Sequence, residues 1–246
     1  MTWTRLKKLV TAGALVLLVA VTGALIIFRH PLQKQLTLAA GKRAIAHQIA
    51  VPVDLTANYT TPASRFDHIT AFPAWKTVPR GFQVFDHVPL QIEGMICLWG
   101  EANATKLKIV FPEQILGIQV QKQFETLYVY HGSFFTSPEH TPVCAVVFRY
   151  EDGSSATNQM LYGDDILDWT TNGREPVAVP SSPRSQMAWL GGSFSPAKKR
   201  PLRLCLTAIE NPQPALTVTS IDLFSCQSQT AACIMAMTTG RSGLML

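Results

Sequence analysis

The stretch RYEDGSSATNQMLYGDDILDW, residues 149–169, holds five carboxylates and one tryptophan. Asp164, Asp165 and Asp168 fall within five positions, and Trp169 follows at once. Two chemistries suit such a set. Carboxylate oxygens ligate calcium, which takes about six to eight of them. They also accept hydrogen bonds from sugar hydroxyls while an indole face covers the apolar side of a pyranose. The spacing argues against calcium, because it lacks the alternating acids, the glycine and the closing Glu of an EF-hand loop. Saccharide contact is therefore the expectation tested for Asp165, Asp168 and Trp169, with His131 and Trp189 as further candidate contacts. A competing reading packs Trp169 inward beneath the loop and leaves the aspartates in solvent, since a tryptophan beside a loop is more often core or rim.

Other chemistry finds less support. Asp152-Gly153 lies between two strand-like runs, and Asp-Gly supplies the left-handed backbone of a tight hairpin turn. That turn accounts for Asp152 without any ligand. There is no G-x-S-x-G elbow, and Gly191-Gly192-Ser193 is the nearest approach. The six histidines never fall at H-x-x-x-H spacing, and no glycine-rich phosphate loop is present. His131 alone lies on a strand, where a core-edge histidine bonded to backbone or carboxylate is the plainer role. No catalytic residue, metal-ligand set or cofactor is assigned. A glycan-acting hydrolase with carboxylates dispersed along the chain remains the alternative enzyme reading. Asn58-Tyr59-Thr60 and Asn103-Ala104-Thr105 match the glycosylation acceptor pattern, which hints at surface positions.

The elements that must position these groups are β-strands. From Gly81 onward the chain offers short runs rich in Val, Ile, Phe and Tyr, punctuated by Gly, Pro, Asn and Asp. The expected strands are Phe82–Phe85, Leu90–Trp99, Leu107–Phe111, Ile115–Gln121, Glu125–His131, Val143–Tyr150, Ser155–Tyr162, Met187–Leu190, Leu202–Ile209, Thr217–Phe224 and Cys233–Thr238. Spacing of this kind indicates an all-β sandwich or barrel. In Glu125–His131, Leu127, Val129 and His131 share one face and Tyr128 and Tyr130 the other. Val143–Tyr150 is almost wholly apolar, as in a central strand covered on both faces.

Leu9 to Phe28 is 20 residues without a charge, long enough to span about 30 Å of bilayer as a helix. The run ends in Ile26-Ile27-Phe28-Arg29, a poor cleavage site, so an uncleaved signal anchor is expected. Arg5, Lys7 and Lys8 favour a cytoplasmic tail, which places the remaining chain outside the inner or plasma membrane, in the periplasm. The expected domains are residues 1–30 as tail and transmembrane helix, 31–80 as a stalk and extended arm, and 81–246 as the sandwich. Phe66, Phe72 and Trp75 would pack the arm onto the domain.

The formal charge of +5 sits in the N-terminal end, because from Ala44 onward fourteen Lys and Arg face sixteen Asp and Glu. That distribution excludes a nucleic-acid footprint. Five cysteines, Cys97, Cys144, Cys205, Cys226 and Cys233, lack a C-x-x-C pair, so a zinc site has no support. Cys226 and Cys233 flank a short polar stretch that a hairpin disulfide would close, but apolar surroundings favour buried thiols. The odd total leaves at least one cysteine free.

Several segments occur together in a telling order: VDLTANYTTP, VPRGFQVFDHVPLQIEGMICLWG, FPEQILGIQVQKQFETLYVYHGSFF, VVFRYEDGS, YGDDILDW, MAWLGG, ENPQPALTVTSIDLFS and AMTTG. They resemble a bacterial envelope β-sandwich family with DLS-x-x-YN, YxDG, YG-x-x-V-x-DWW, NP-x-P and SIDF motifs, over about residues 54–239. The resemblance implies a galactose-binding-like jelly roll. It carries no established activity, so it implies no catalytic residue. His131, Tyr150, Asp152, Gly153, Gly163, Asp168, Trp169, Trp189, Asn211, Pro212 and Asp222 occupy that family's recurring positions. Thr170 stands where the pattern has a second Trp, and His87 where it has Gly. These observations lead to the expectation of a membrane-anchored, extracytoplasmic module that binds a glycan or an envelope protein, with a structural subunit of an envelope assembly as the further alternative.

Overall fold

The computed structural model describes residues 35–45, 49–65, 77–171, 177–192 and 201–245. The expected membrane segment, residues 9–28, lies outside them, as do Phe66, Phe72 and Trp75. Among the described residues, no helix is long and apolar enough to cross a membrane.

Thirteen strands make up the described fold. They are β1 (Ala50–Pro52), β2 (Thr61–Pro62), β3 (Gly81–Phe85), β4 (Val88–Ile92), β5 (Gly94–Cys97), β6 (Gln114–Lys122) and β7 (Thr126–Phe134). Then follow β8 (Pro142–Tyr150), β9 (Ser155–Leu161), β10 (Ser185–Gly191), β11 (Leu202–Glu210), β12 (Val218–Ser225) and β13 (Ala231–Gly240). One sheet runs β10-β11-β7-β13-β5-β2, with β1 also on β13; a second runs β6-β12-β8-β9; β3 and β4 form a separate hairpin. All named strands pair antiparallel. The described residues from Ala50 onward thus form an all-β, two-sheet sandwich.

Two apolar layers hold it. Between the sheets lie Leu127, Val129, Ile209, Ile234 and Met237 from one side and Ile118, Val146, Phe148 and Ile221 from the other. On the outer face of the larger sheet, Tyr128, Tyr130, Leu204 and Met235 are covered by Val88, Leu90 and Ile92 of the hairpin, by Phe111 and by Trp169. The alternation in β7 therefore reads out two different cores. β7 and β13 are buried along their whole lengths. β8 is central in the smaller sheet, but Arg149 on its outer face is exposed. The doubly covered strands are β7 and β13, not β8.

The sandwich begins earlier than Gly81. β1 pairs with β13, β2 pairs with β5, and Val53 and Leu55 enter the inter-sheet core. Proline had suggested an extended arm, but Pro62 falls on an edge strand, where a missing N–H is tolerated. The expected stalk is a helix over residues 35–45 that rests on the domain. Gly41 is buried against Val84, whose Cγ2 would lie 2.4 Å from any added Cβ. Leu90–Trp99 divides at Glu93 into β4 and β5, which join different sheets.

Leu107–Phe111 is not a strand. Residues Asn103–Leu107 form a π-helical turn, which Lys108 ends in the left-handed region. Phe111 then stacks on Phe134 at 6.1 Å, so burial produced the alternation without a ladder. Asn103 within that turn is fully buried, which corrects the surface reading of its acceptor pattern.

The β3–β4 turn holds both Asp86 (φ 45) and His87 (φ 64) in the left-handed region, as a two-residue type I′ connection requires. That is the place where a glycine is expected by resemblance, and histidine is among the side chains that tolerate it. The β8–β9 connection is a hairpin turn as expected from Asp152-Gly153, but only Gly153 takes the left-handed region and Asp152 does not. Gly153 N–H donates to the Tyr150 carbonyl at 3.1 Å, and Gly153 has φ 84. Asp152 Oδ1 accepts from the Ser154 N–H at 2.9 Å and hydroxyl at 2.6 Å. A Gly153→Val chain should lose about 1 kcal/mol or more in denaturant unfolding, from backbone strain alone, since nothing lies near the added Cβ. Asp152→Asn keeps the accepting oxygen and should unfold at the parent midpoint.

Candidate functional site

The acidic loop after β9 is a plug between two neighbouring strands of the larger sheet. β7 and β11 pair as far as His131 opposite Cys205 and then part. Residues 168–170 enter the gap. Ser133 N–H donates to the Leu167 carbonyl at 3.0 Å and Trp169 N–H to the Ser133 carbonyl at 2.8 Å. On the other side Arg203 N–H donates to the Trp169 carbonyl at 2.8 Å. The indole goes inward with this backbone. Trp169 is 4% exposed and meets Phe134 edge to face at 5.8 Å. Gly132 makes room, because a Cβ there would lie 3.3 Å from that of Trp169 and 3.1 Å from Leu204. No indole face is left for a pyranose to cover, and Trp169 takes the core position of the competing reading.

Each aspartate of the loop is satisfied from within the chain. Asp164 accepts from the Ser181 hydroxyl at 2.7 Å and pairs with His140 Nδ1 at 2.6 Å. The His140 contact holds the Asp164 carboxyl below its ordinary range and raises the His140 imidazole. Asp168 accepts from the Thr170 N–H at 2.9 Å and hydroxyl at 3.0 Å. Burial raises its carboxyl, and the Thr170 bonds offset part of that rise. Gly163, at φ 85, opens this loop where any Cβ would strike the Glu139 carboxylate.

Asp165 anchors a buried polar chain. Its side chain is 1% exposed and receives Arg184 through both oxygens, at 2.8 and 2.6 Å. Ser185 Oγ donates to Asp165 at 3.1 Å and contacts Thr207 Oγ1 at 2.8 Å, which in turn meets His131 Nε2 at 2.7 Å. Burial alone would raise the Asp165 carboxyl; Arg184, the Leu161 N–H and Ser185 together hold it below its usual value. His131 is 0% exposed, and burial lowers its imidazole to about 3, against a smaller opposing pull from Asp165. It is therefore neutral at pH 7 and sealed from any external substrate. Its Nδ1 has no hydrogen-bond partner among the described residues. His131 thus bonds a threonine hydroxyl and not the backbone or carboxylate expected for it, and Asp165 is reached only through two hydroxyls.

Trp189 lies apart from this chain, half-buried on edge strand β10 against the outer core, with its ring over Gly191. The five candidate contacts thus fall into an inter-sheet polar chain (His131, Asp165), a loop plug (Asp168, Trp169) and a sheet edge (Trp189). They do not line one surface. Among the described residues, no three His, Cys, Asp or Glu side chains converge as a metal site.

An open cleft does exist, at the opposite end of the strands. It has a volume of about 560 Å³ where the ends of β1, β6 and β13 meet the β6–β7 and β11–β12 loops. Lys122, Gln123, Phe124, Glu125, Pro214 and Arg241 are among its lining. Its walls are pinned. Gln123 Nε2 donates to the Ala215 carbonyl at 2.8 Å, and Asn211 Nδ2 to the Phe124 carbonyl at 2.9 Å. Tyr150 hydroxyl donates to Asn211 Oδ1 at 2.6 Å, deep in the sandwich. Glu125 accepts from the Ser242 N–H and hydroxyl, both at 2.9 Å, which lowers its carboxyl. A second cleft of about 460 Å³ adjoins it, lined by Asn158, Arg184, Glu210 and Ser242 among others.

Sequence reasoning missed these clefts, because their linings come from distant segments. The one trace was Tyr150 and Asn211-Pro212, which the resemblance singled out without a role. No protein family, curated protein or solved structure matches the chain.

Proposed function

We propose that this chain is a membrane-anchored, extracytoplasmic binding module whose sandwich takes up a glycan in the end cleft. The observation that carries the reading is that cleft: about 560 Å³, with Lys122, Gln123, Glu125 and Arg241 offering donors and acceptors around exposed Pro214 and Ala215. Saccharides present hydroxyl groups on ring edges and C–H groups on ring faces, and such a mixed lining suits both. Gln123, tied to the Ala215 carbonyl, and Glu125, tied to Ser242, are placed before a ligand arrives, which lowers the ordering cost of binding. The two cations against one carboxylate that is already hydrogen-bonded favour a sugar bearing carboxylate or another acidic substituent. The fold assignment within this proposal is a galactose-binding-like jelly roll of the envelope family that the motifs resemble.

Affinity electrophoresis through gels containing acidic envelope polysaccharide tests the binding. Retardation of the full-length chain in detergent supports it, and migration unchanged by any polysaccharide counts against it. Release of new reducing ends in the same incubation would turn the reading to a hydrolase.

The anchoring rests on the 20 uncharged residues from Leu9 to Phe28 and the basic residues before them. The full chain is expected to sediment with membranes and to be digested by protease added from the outer side. Replacing Leu17 and Leu18 with Arg should release or deplete it, at about 2.5–3.5 kcal/mol per central Arg on insertion scales. Recovery of the parent as a shortened soluble protein would show a cleaved leader instead.

A further inference from the structure

Two cysteines that the sequence does not associate are neighbours. Cys233 on β13 and Cys97 on β5 are direct cross-strand partners, as are Ile234 and Ile96 beside them. The next pair along, Leu98 with Ala232, is hydrogen-bonded, with Leu98 N–H donating to the Ala232 carbonyl at 2.9 Å. Antiparallel ladders alternate, so the Cys97–Cys233 pair is the non-hydrogen-bonded kind. The Cys97 N–H points the other way and donates to Thr60 Oγ1 at 2.9 Å. Opposed residues at such pairs have Cα atoms about 4.5 Å apart with side chains close together. Disulfides accept Cα separations of about 4.4–6.8 Å. The two Sγ atoms stand 3.0 Å apart, closer than sulfurs in ordinary nonbonded contact. Both residues are buried on the outer-core face of the large sheet, at 0% and 2% exposure.

We propose that Cys97 and Cys233 are joined by a disulfide that ties β5 to β13 across the centre of the large sheet. The Cys226–Cys233 hairpin link weighed from the sequence is excluded by the same partnership, because Cys233 is committed to Cys97. The bond forms by exchange with an external disulfide, that of a dithiol oxidoreductase or oxidised glutathione. One cysteine thiolate attacks a sulfur of that disulfide and expels a thiolate, giving a mixed disulfide. The second cysteine then attacks the mixed disulfide and expels the other thiolate. Two cysteine protons end on the two released thiols, and the oxidant takes up the two electrons. Burial, reinforced by the Cys97 thiol, pushes the Cys233 thiol well up. The exchange therefore belongs to folding, before β13 is sealed. The link closes a loop of 136 positions, which contains β6 to β12. It does not rest on the glycan reading, and the cleft contains neither cysteine.

The experiment is thiol mapping of the full-length chain, both as taken from its native membrane and after refolding with oxidised and reduced glutathione. Each sample is alkylated under denaturing, non-reducing conditions and digested. The expected result is three alkylated cysteines, Cys144, Cys205 and Cys226, and a cross-linked peptide pair carrying Cys97 and Cys233. Reduction with dithiothreitol before melting should lower the midpoint by roughly 10 °C or more. Cys97→Ser and Cys233→Ser should each match the reduced parent, and the double variant should be no worse. Five alkylated cysteines in both samples, or a link between any other two, would overturn the proposal. A bond that forms on refolding but is missing from the native material would overturn the proposal for the protein in its membrane, and with it placement of the sandwich in an oxidising compartment.

Discussion

Trp169→Ala is expected to lose about 3–5 kcal/mol of unfolding free energy, the range for deleting a large aromatic from a core. Several features put it at the upper end. The indole is 4% exposed, meets Phe134 edge-on, and closes the gap where β7 and β11 part. The backbone on both of its sides is hydrogen-bonded into that gap, so the neighbours cannot collapse freely into the space. Melting followed by circular dichroism should show the midpoint falling by roughly 10 °C or more. Trp169→Phe, which refills most of the volume, should recover part of the loss. A Trp169→Ala chain that melts with the parent would contradict the plug and return this residue to the surface role first considered for it.

The second large effect is on the acid side of the pH profile. His131 titrates near 6.5 in an unfolded chain and near 3 in the folded one, because burial disfavours its charged form. Between those values the unfolded chain binds a proton that the folded chain does not. Stability therefore rises with pH through this window and is lost as pH falls, by on the order of 4 kcal/mol from pH 6.5 to 3. Asp165 adds in the same direction at the lower end. Its folded carboxyl lies below the ordinary 3.8, so its contribution is present above that value and disappears as acid reaches the folded one. Asp168 opposes them, since burial raises it and its protonation favours the folded chain. Urea unfolding at pH 7, 5.5 and 4 should give successively lower midpoints. His131→Gln retains a hydrogen-bonding group beside Thr207 but removes the titration, so its profile should be flatter across the same range. A parent profile that is level from pH 7 to 4 would mean that His131 is not held neutral.

Much of the sandwich was legible because period-two alternation and Val-, Ile- and Phe-rich runs report the covering of a sheet directly. β7 is the clearest case, where Leu127 and Val129 went to one core and Tyr128 and Tyr130 to the other. The same signal misled at Leu107–Phe111, because alternation reports which side chains are buried and not whether the backbone has a partner. It also missed β1 and β2, which are too short to show a period and carry Pro52 and Pro62. The acidic loop was overread for a different reason. Asp164 and Asp165 looked surplus only because Ser181, Arg184 and Ser185, which satisfy them, come 17 to 20 positions later. A lone sequence displays charges without their partners. The end cleft was out of reach on the same ground, since Lys122, Pro214 and Arg241 meet only after both sheets have closed.

Glycan recognition in the end cleft is tested by a glycan array probed with the full-length chain in detergent, parent beside Lys122→Glu/Arg241→Glu. Both substituted side chains are exposed, so the variant should melt within a few degrees of the parent. The parent is expected to be retained on a subset of acidic glycans, and the double variant to bind them about tenfold more weakly or worse, as follows when charge-assisted contacts are reversed. A parent that binds nothing on the array, or a folded double variant that binds as well as the parent, would contradict glycan recognition in the end cleft.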